Sequence, residues 1–170
     1  NTQLLATRTS IFDVKERQER EERIESNKEA LVSLTASNEI INAQNVWAQL
    51  NTDLGEDEVD YIEGEGADLM TAMYASVAEE RAKAEDYSAA LSFVNAGLEI
   101  NSFDGTLEEL QPLYQTEVYI NELLNSFSTV NTLDADVRNK VREIEDYSPT
   151  RFTSFSRDAE KLLLDRINEL

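Results

Sequence analysis

Residues 72–102, AMYASVAEERAKAEDYSAALSFVNAGLEINS, decide the fold of this chain. The segment begins in a run with Met73, Tyr74, Val77 and Ala78 at i, i+3 and i+4 spacings, which is the apolar stripe of an amphipathic helix. The helix is expected over about residues 67–84, with Leu69 on the same inward face. A polar turn follows, and Asp86 stands immediately before a second apolar run, where a short carboxylate side chain caps the first free N–H groups of a helix. That second helix, residues 87–100, carries Ala90, Leu91, Val94 and Leu98. Two antiparallel helices at close approach need Ala or Gly where they cross and large side chains on either side. Ala78, Ala90 and Gly97 supply the first; Tyr74 and Val94 supply the second.

The pattern repeats outward. Thirty-three residues after Tyr74, Leu107, Leu110 and Tyr114 restate the first-helix spacing. Forty-seven residues before Ala90 and Val94, Ala43 and Trp47 restate that of the second helix. This longer offset is taken up by an acidic, glycine-spotted run at residues 54–68, LGEDEVDYIEGEGAD, which reads as a loop. A helix over residues 37–51 is expected to turn Ile40, Ile41, Ala43, Val46, Trp47 and Leu50 to one face. Thr106 with Glu109 forms a capping box for a helix reaching about residue 127. Pro112 either kinks that helix or marks its first turn.

The hairpin at residues 72–102 resembles the tetratricopeptide repeat (TPR). Tyr74 stands at the family's Trp, Val77 at its Leu, Ala78 at its small residue, Asp86 and Tyr87 at its tight turn, and Ala90 and Gly97 at its later small positions. Arg81 replaces the usual Tyr and Ser102 the usual Pro. The resemblance implies an all-α fold of antiparallel helical hairpins stacked as a short TPR-like right-handed superhelix, with a C-terminal helical appendage. It divides the chain into a charged lead-in (1–29), the hairpins (30–127) and C-terminal helices (128–170). It also implies a scaffold that holds a protein or peptide on a concave face of first helices. That face would be lined by Ala72, Ala75, Glu79, Ala82 and Lys83, then by Glu108, Pro112 and Gln115. The Lys, Asn and Arg pattern of the family's carboxylate clamps is missing.

Residues 14–29, VKERQEREERIESNKE, are almost wholly charged, with opposite charges at i, i+3 and i+4. An exposed helix is expected, becoming amphipathic at Ala30, Leu31 and Leu34. Pairing of residues 14–34 between two chains is the alternative, a structural oligomerisation module and possible homodimer. Beyond residue 128, helices are expected over residues 134–147 and from Ser156 onward. Between them lies the aromatic, weakly basic stretch SPTRFTSFSR, whose Arg151, Phe152, Phe155 and Arg157 read either as docking contacts or as pins to the body.

Composition excludes much chemistry. With no Cys and no His, thiol catalysis, imidazole bases and the usual zinc ligand sets are gone. No catalytic residue, cofactor or metal site is assigned, and the chain is expected not to be an enzyme. A carboxylate-dependent hydrolase is the remaining catalytic alternative, because Asp and Glu suffice for glycoside chemistry. The acids of residues 53–68 do not match the ligand spacing of a calcium-binding EF-hand loop. GEGAD is no phosphate loop. Fifteen Lys and Arg against 35 acids, a formal charge of −20, disfavour nucleic acid and anionic membrane surfaces. The acids are read as a solvated surface, with a basic partner or a divalent cation as the alternative. No stretch approaches the roughly 18–20 apolar residues of a membrane span. The start at Asn1 without Met leads to the expectation of a piece of a longer, membrane-anchored bacterial protein, on the periplasmic side.

Overall fold

In the computed structural model, residues 2–54 and 58–129 are described, and every element among them is an α-helix: α1 (Thr2–Ala36), α2 (Ile40–Leu54), α3 (Val59–Glu63), α4 (Glu65–Lys83), α5 (Tyr87–Ile100) and α6 (Gly105–Thr129). The all-α expectation holds. The elements expected beyond residue 129, and the docking stretch with Arg151 and Phe152, lie outside the described residues.

Two hairpins form the body. α1 pairs with α2 and α4 with α5; α6 packs on α5, and α1 and α6 each touch α4. The α1–α2 hairpin closes with Asn38 at φ 55°, the α4–α5 hairpin with Glu85 at φ 61°. In each, the next residue's N–H reaches back to the last turn, Glu39 to the Leu34 carbonyl and Asp86 to the Arg81 carbonyl, both at 2.9 Å. This is the Schellman arrangement, which satisfies carbonyls that the helix end leaves free. The two closures are 47 residues apart, the same offset that relates Ala43 to Ala90, and both alanines are fully buried.

Asn tolerates the left-handed region through its short polar side chain, whereas Glu carries a steric cost there. Glu85→Gly is therefore expected to stabilise the fold by about 0.5–1 kcal/mol, the relief of strain less the added freedom of the unfolded chain. Asn38→Gly should change little. Thermal unfolding of the two variants side by side measures the difference.

Four local expectations are corrected. First, the acidic run is largely helical: Asp53 and Leu54 finish α2, residues 59–63 form α3, and α4 already begins at Glu65. Its apolar residues draw it in, since Tyr61 and Ile62 pack against the core of α1, α2 and α4. α4 can close beneath them because Gly66 has no side chain; a Cβ there would lie 2.6 Å from the Trp47 ring and 2.9 Å from that of Tyr61. Second, α6 is capped by Asp104 rather than by Thr106. Asp104 Oδ1 accepts from the Leu107 N–H at 2.9 Å. Third, of the two readings of Pro112 the first-turn one falls, because Pro112 sits exposed inside α6, which already begins at Gly105. Fourth, Ile41 is 74 % exposed, so the buried stripe of α2 is narrower than its sequence suggests.

α1 is one helix through residue 30. Among its described side chains burial begins at Ile24, and Leu31 is fully enclosed. Just before Ile24, two arginines fasten α1 to the end of α2. Arg23 donates to both carboxylate oxygens of Asp53, at 2.8 and 2.9 Å, and Arg20 donates to the Asp53 backbone carbonyl. Gln49 adds a third donor at 3.0 Å. The Arg23 hydrogen bonds hold the nearly buried Asp53 carboxyl down at about 2, against the opposing effect of its desolvation. A group whose folded pKa is lowered contributes stability above its unfolded value, near 4, and loses it as pH falls through the folded value. Acid unfolding of the wild type should therefore steepen between about pH 4 and pH 2, and Asp53→Asn should remove that part of the slope. The half-exposed arginine leaves the pair screened by solvent, so the loss in Asp53→Asn at neutral pH is on the order of 1 kcal/mol.

Candidate functional site

Two hollows lie along α4, and they share Ala72 and Ser76. One, of about 330 Å³, opens between the end of α1 and the middle of α4. Val32, Thr35, Ala36 and Asn38 form one wall; Leu69, Ala72, Met73 and Ser76 form the other. The second, of about 430 Å³, continues toward the start of α6. It is lined by Asp68, Thr71, Ala72, Ala75, Ser76 and Glu79, with Asp104 and Thr106 opposite. The residues they share join them into one furrow running from α1, across α4, to the start of α6; α1 and α4 are the first members of the two hairpins.

The local sequence explains the shape. Small residues at 72, 75 and 76 leave this side of α4 low, with the buried Ala75 and Met73 at its bottom, while Tyr74 and Val77 are buried on the other side. The wall at α1 is braced by Asn38, whose Nδ2 donates to Ser76 Oγ at 3.2 Å and lies 3.4 Å from Glu80 Oε1. The wall at α6 is set by the Asp104 cap.

The two halves differ in chemistry. The α1 half is apolar, with Val32 47 % exposed and Leu69 and Met73 in its wall. The α6 half carries the carboxylates of Asp68, Glu79 and Asp104, and no described cation lies within ion-pair distance of any of them. Behind Glu79, the buried Tyr114 hydroxyl is pushed up by desolvation and then by the Glu79 charge, so it stays a neutral phenol at physiological pH.

Of the residues implied by the repeat resemblance, the furrow brings together Ala72, Ala75 and Glu79. Ala82 turns instead toward the buried cluster of α4, α5 and α6. Lys83, Glu108, Pro112 and Gln115 are exposed but line neither hollow. Sequence reasoning missed the α1 wall, because the charged start of that helix masked its role as the first member of a hairpin. The signal was present in the 47-residue offset, which makes Asn38 the counterpart in the first hairpin of Glu85 in the second. It also missed Asp68, Ser76 and Asp104.

Charge is uneven once placed on the fold. Between residues 30 and 127 the only basic residues are Arg81 and Lys83, against nineteen acids. The lead-in is close to neutral, so the hairpin body carries nearly all of the chain's negative charge. Among the described residues no three carboxylates converge closely enough to hold a metal ion, and no helix is long and apolar enough to cross a membrane. Comparison with family models, with curated proteins and with solved structures finds no match to this chain.

Proposed function

We propose that this chain is a non-catalytic protein-interaction scaffold, a degenerate TPR-like stack that holds a partner segment on the face formed by α1, α4 and α6. The observation that supports this reading is the furrow itself. It is continuous over three helices, floored by small side chains, and lies where a stack of hairpins presents its inner side. A scaffold needs such a groove and no reactive group within it, and the chain contains neither His nor Cys. Selection of a displayed random-peptide library on the intact chain tests the reading. A consensus that fails to bind Ala72→Trp, in which an exposed position on the furrow floor is filled, is the expected result. A consensus indifferent to that substitution places the binding surface elsewhere.

A second reading is self-association through the start of α1, favoured by Ile11, Phe12 and Val14, all more than half exposed on a helix otherwise studded with charge. From Ile24 onward, Ile24 and Leu31 are buried within their own chain and Val32 lines the furrow, so Ile11, Phe12 and Val14 are the described apolar side chains of α1 left for pairing. Sedimentation equilibrium of the wild type and Phe12→Lys separates the readings. A concentration-dependent dimer that the substitution abolishes supports association; two monomers dispose of it.

A further inference from the structure

We infer that the furrow takes a short basic segment of a protein partner, one that seats an apolar side chain against Val32, Leu69 and Met73 and sets Lys or Arg side chains against Glu79, Asp68 and Asp104. This deepens the scaffold reading and rests on it. Three observations select this occupant. The furrow is apolar at one end and anionic at the other, so a complementary segment is amphipathic along its length. None of its three carboxylates pairs with a described cation, so a partner's Lys or Arg placed there displaces none of the described basic residues. The surrounding body has only two basic residues across nearly a hundred, so its field attracts cations and repels an acidic segment before contact is made. The same field argues against a nucleic acid or an anionic lipid surface. Asp104 has a second duty as the cap of α6, which fixes its carboxylate at the rim through the bond from the Leu107 N–H. It is thus held in place before a partner arrives, and little ordering is required on binding.

The test uses the full chain and three fluorescently labelled dodecapeptides: one of Lys, Ala and Leu, one with Leu replaced by Ser, and one with Lys replaced by Glu. Anisotropy is measured at roughly physiological salt, where distant charges are screened. The Lys–Leu peptide is expected to bind, the Lys–Ser peptide more weakly, and the Glu peptide not at all. Glu79→Gln with Asp104→Asn, which keeps the cap, should weaken binding about five- to tenfold, as two exposed ion pairs warrant. Glu99→Gln with Glu122→Gln removes the same charge away from the furrow and should leave binding within about twofold. Equal losses from both pairs would mean attraction to bulk charge and overturn the inference. Blockade by Ala72→Trp with no effect of the furrow pair would leave the scaffold reading standing while the basic occupant falls. Binding untouched by Ala72→Trp and Ser76→Trp alike would remove the furrow from both.

Discussion

Replacing Gly97 by leucine is expected to destabilise the protein by about 3 kcal/mol, among the largest effects of any single substitution. Gly97 lies on α5 where α4 and α6 meet it. A Cβ built there would stand 2.5 Å from Leu107 Cδ1 and 3.2 Å from Tyr74 Cβ. Neither neighbour has room to move: Leu107 is fully buried and Tyr74 is 3 % exposed. Tyr74 is further held by the Gln44 amide, which donates to its hydroxyl oxygen at 2.7 Å, and by stacking on Phe93. Alanine at 97 gains about 1 kcal/mol of helix propensity over glycine, yet it still meets Leu107, so a smaller net loss is expected. The coupling makes the argument checkable. In the background of Leu107→Ala, the cost of Gly97→Ala should shrink by a kcal/mol or more, which chemical denaturation of the four proteins of that double-mutant cycle would measure. Strict additivity would show that the two residues do not meet.

Leu31→Ala is expected to cost about 2–5 kcal/mol, the range for a fully enclosed leucine whose surroundings relax only partly. Leu31 is 0 % exposed on α1, in the cluster that also holds Leu50, Leu54, Met70 and Met73. Ile11→Ala on the same helix should stay within about 0.5 kcal/mol, because Ile11 is 65 % exposed. The contrast asks whether α1 is a structural member of the first hairpin from Ile24 onward. Equal small effects at both positions would reduce the helix to an appendage, and the α1 wall of the furrow would go with it. A loss confined to Leu31, read from urea denaturation, makes the wall as fixed as the rest of the core.

The hairpin at residues 72–102 was legible because its signals are local. Apolar spacing, an aspartate cap and small residues at the crossing are all written within thirty residues, and α4 and α5 fold as they direct. Tyr74, Val77, Ala78, Ala90 and Val94 are buried as their spacing requires. Misreadings arose where a distant partner overrode local composition. The run at residues 54–68 is acidic enough to suggest a solvated loop, but Tyr61 and Ile62 find a surface on α1, α2 and α4, and their burial draws the segment into α3. α1 reads as a charged lead-in because six of its charges are basic and seven acidic, a balance with no apolar seam. Nothing within it says that Arg20 and Arg23 fasten onto Asp53, some thirty residues away.

The candidate site divides along the same line. That the chain has no thiol or imidazole chemistry, is helical throughout its described residues, and keeps small side chains at 72, 75 and 76 follows from sequence alone, since each is a matter of residue identity or local period. That those small positions become a furrow was decided by tertiary packing. A hollow exists only between elements, and its two walls, at Val32 and Asn38 on one side and at Asp104 on the other, come from parts of the chain more than sixty residues apart. Charge follows suit. The sequence sets how many acids there are, but only the packing of α4 against the start of α6 brings Asp68, Glu79 and Asp104 to the lining of one hollow.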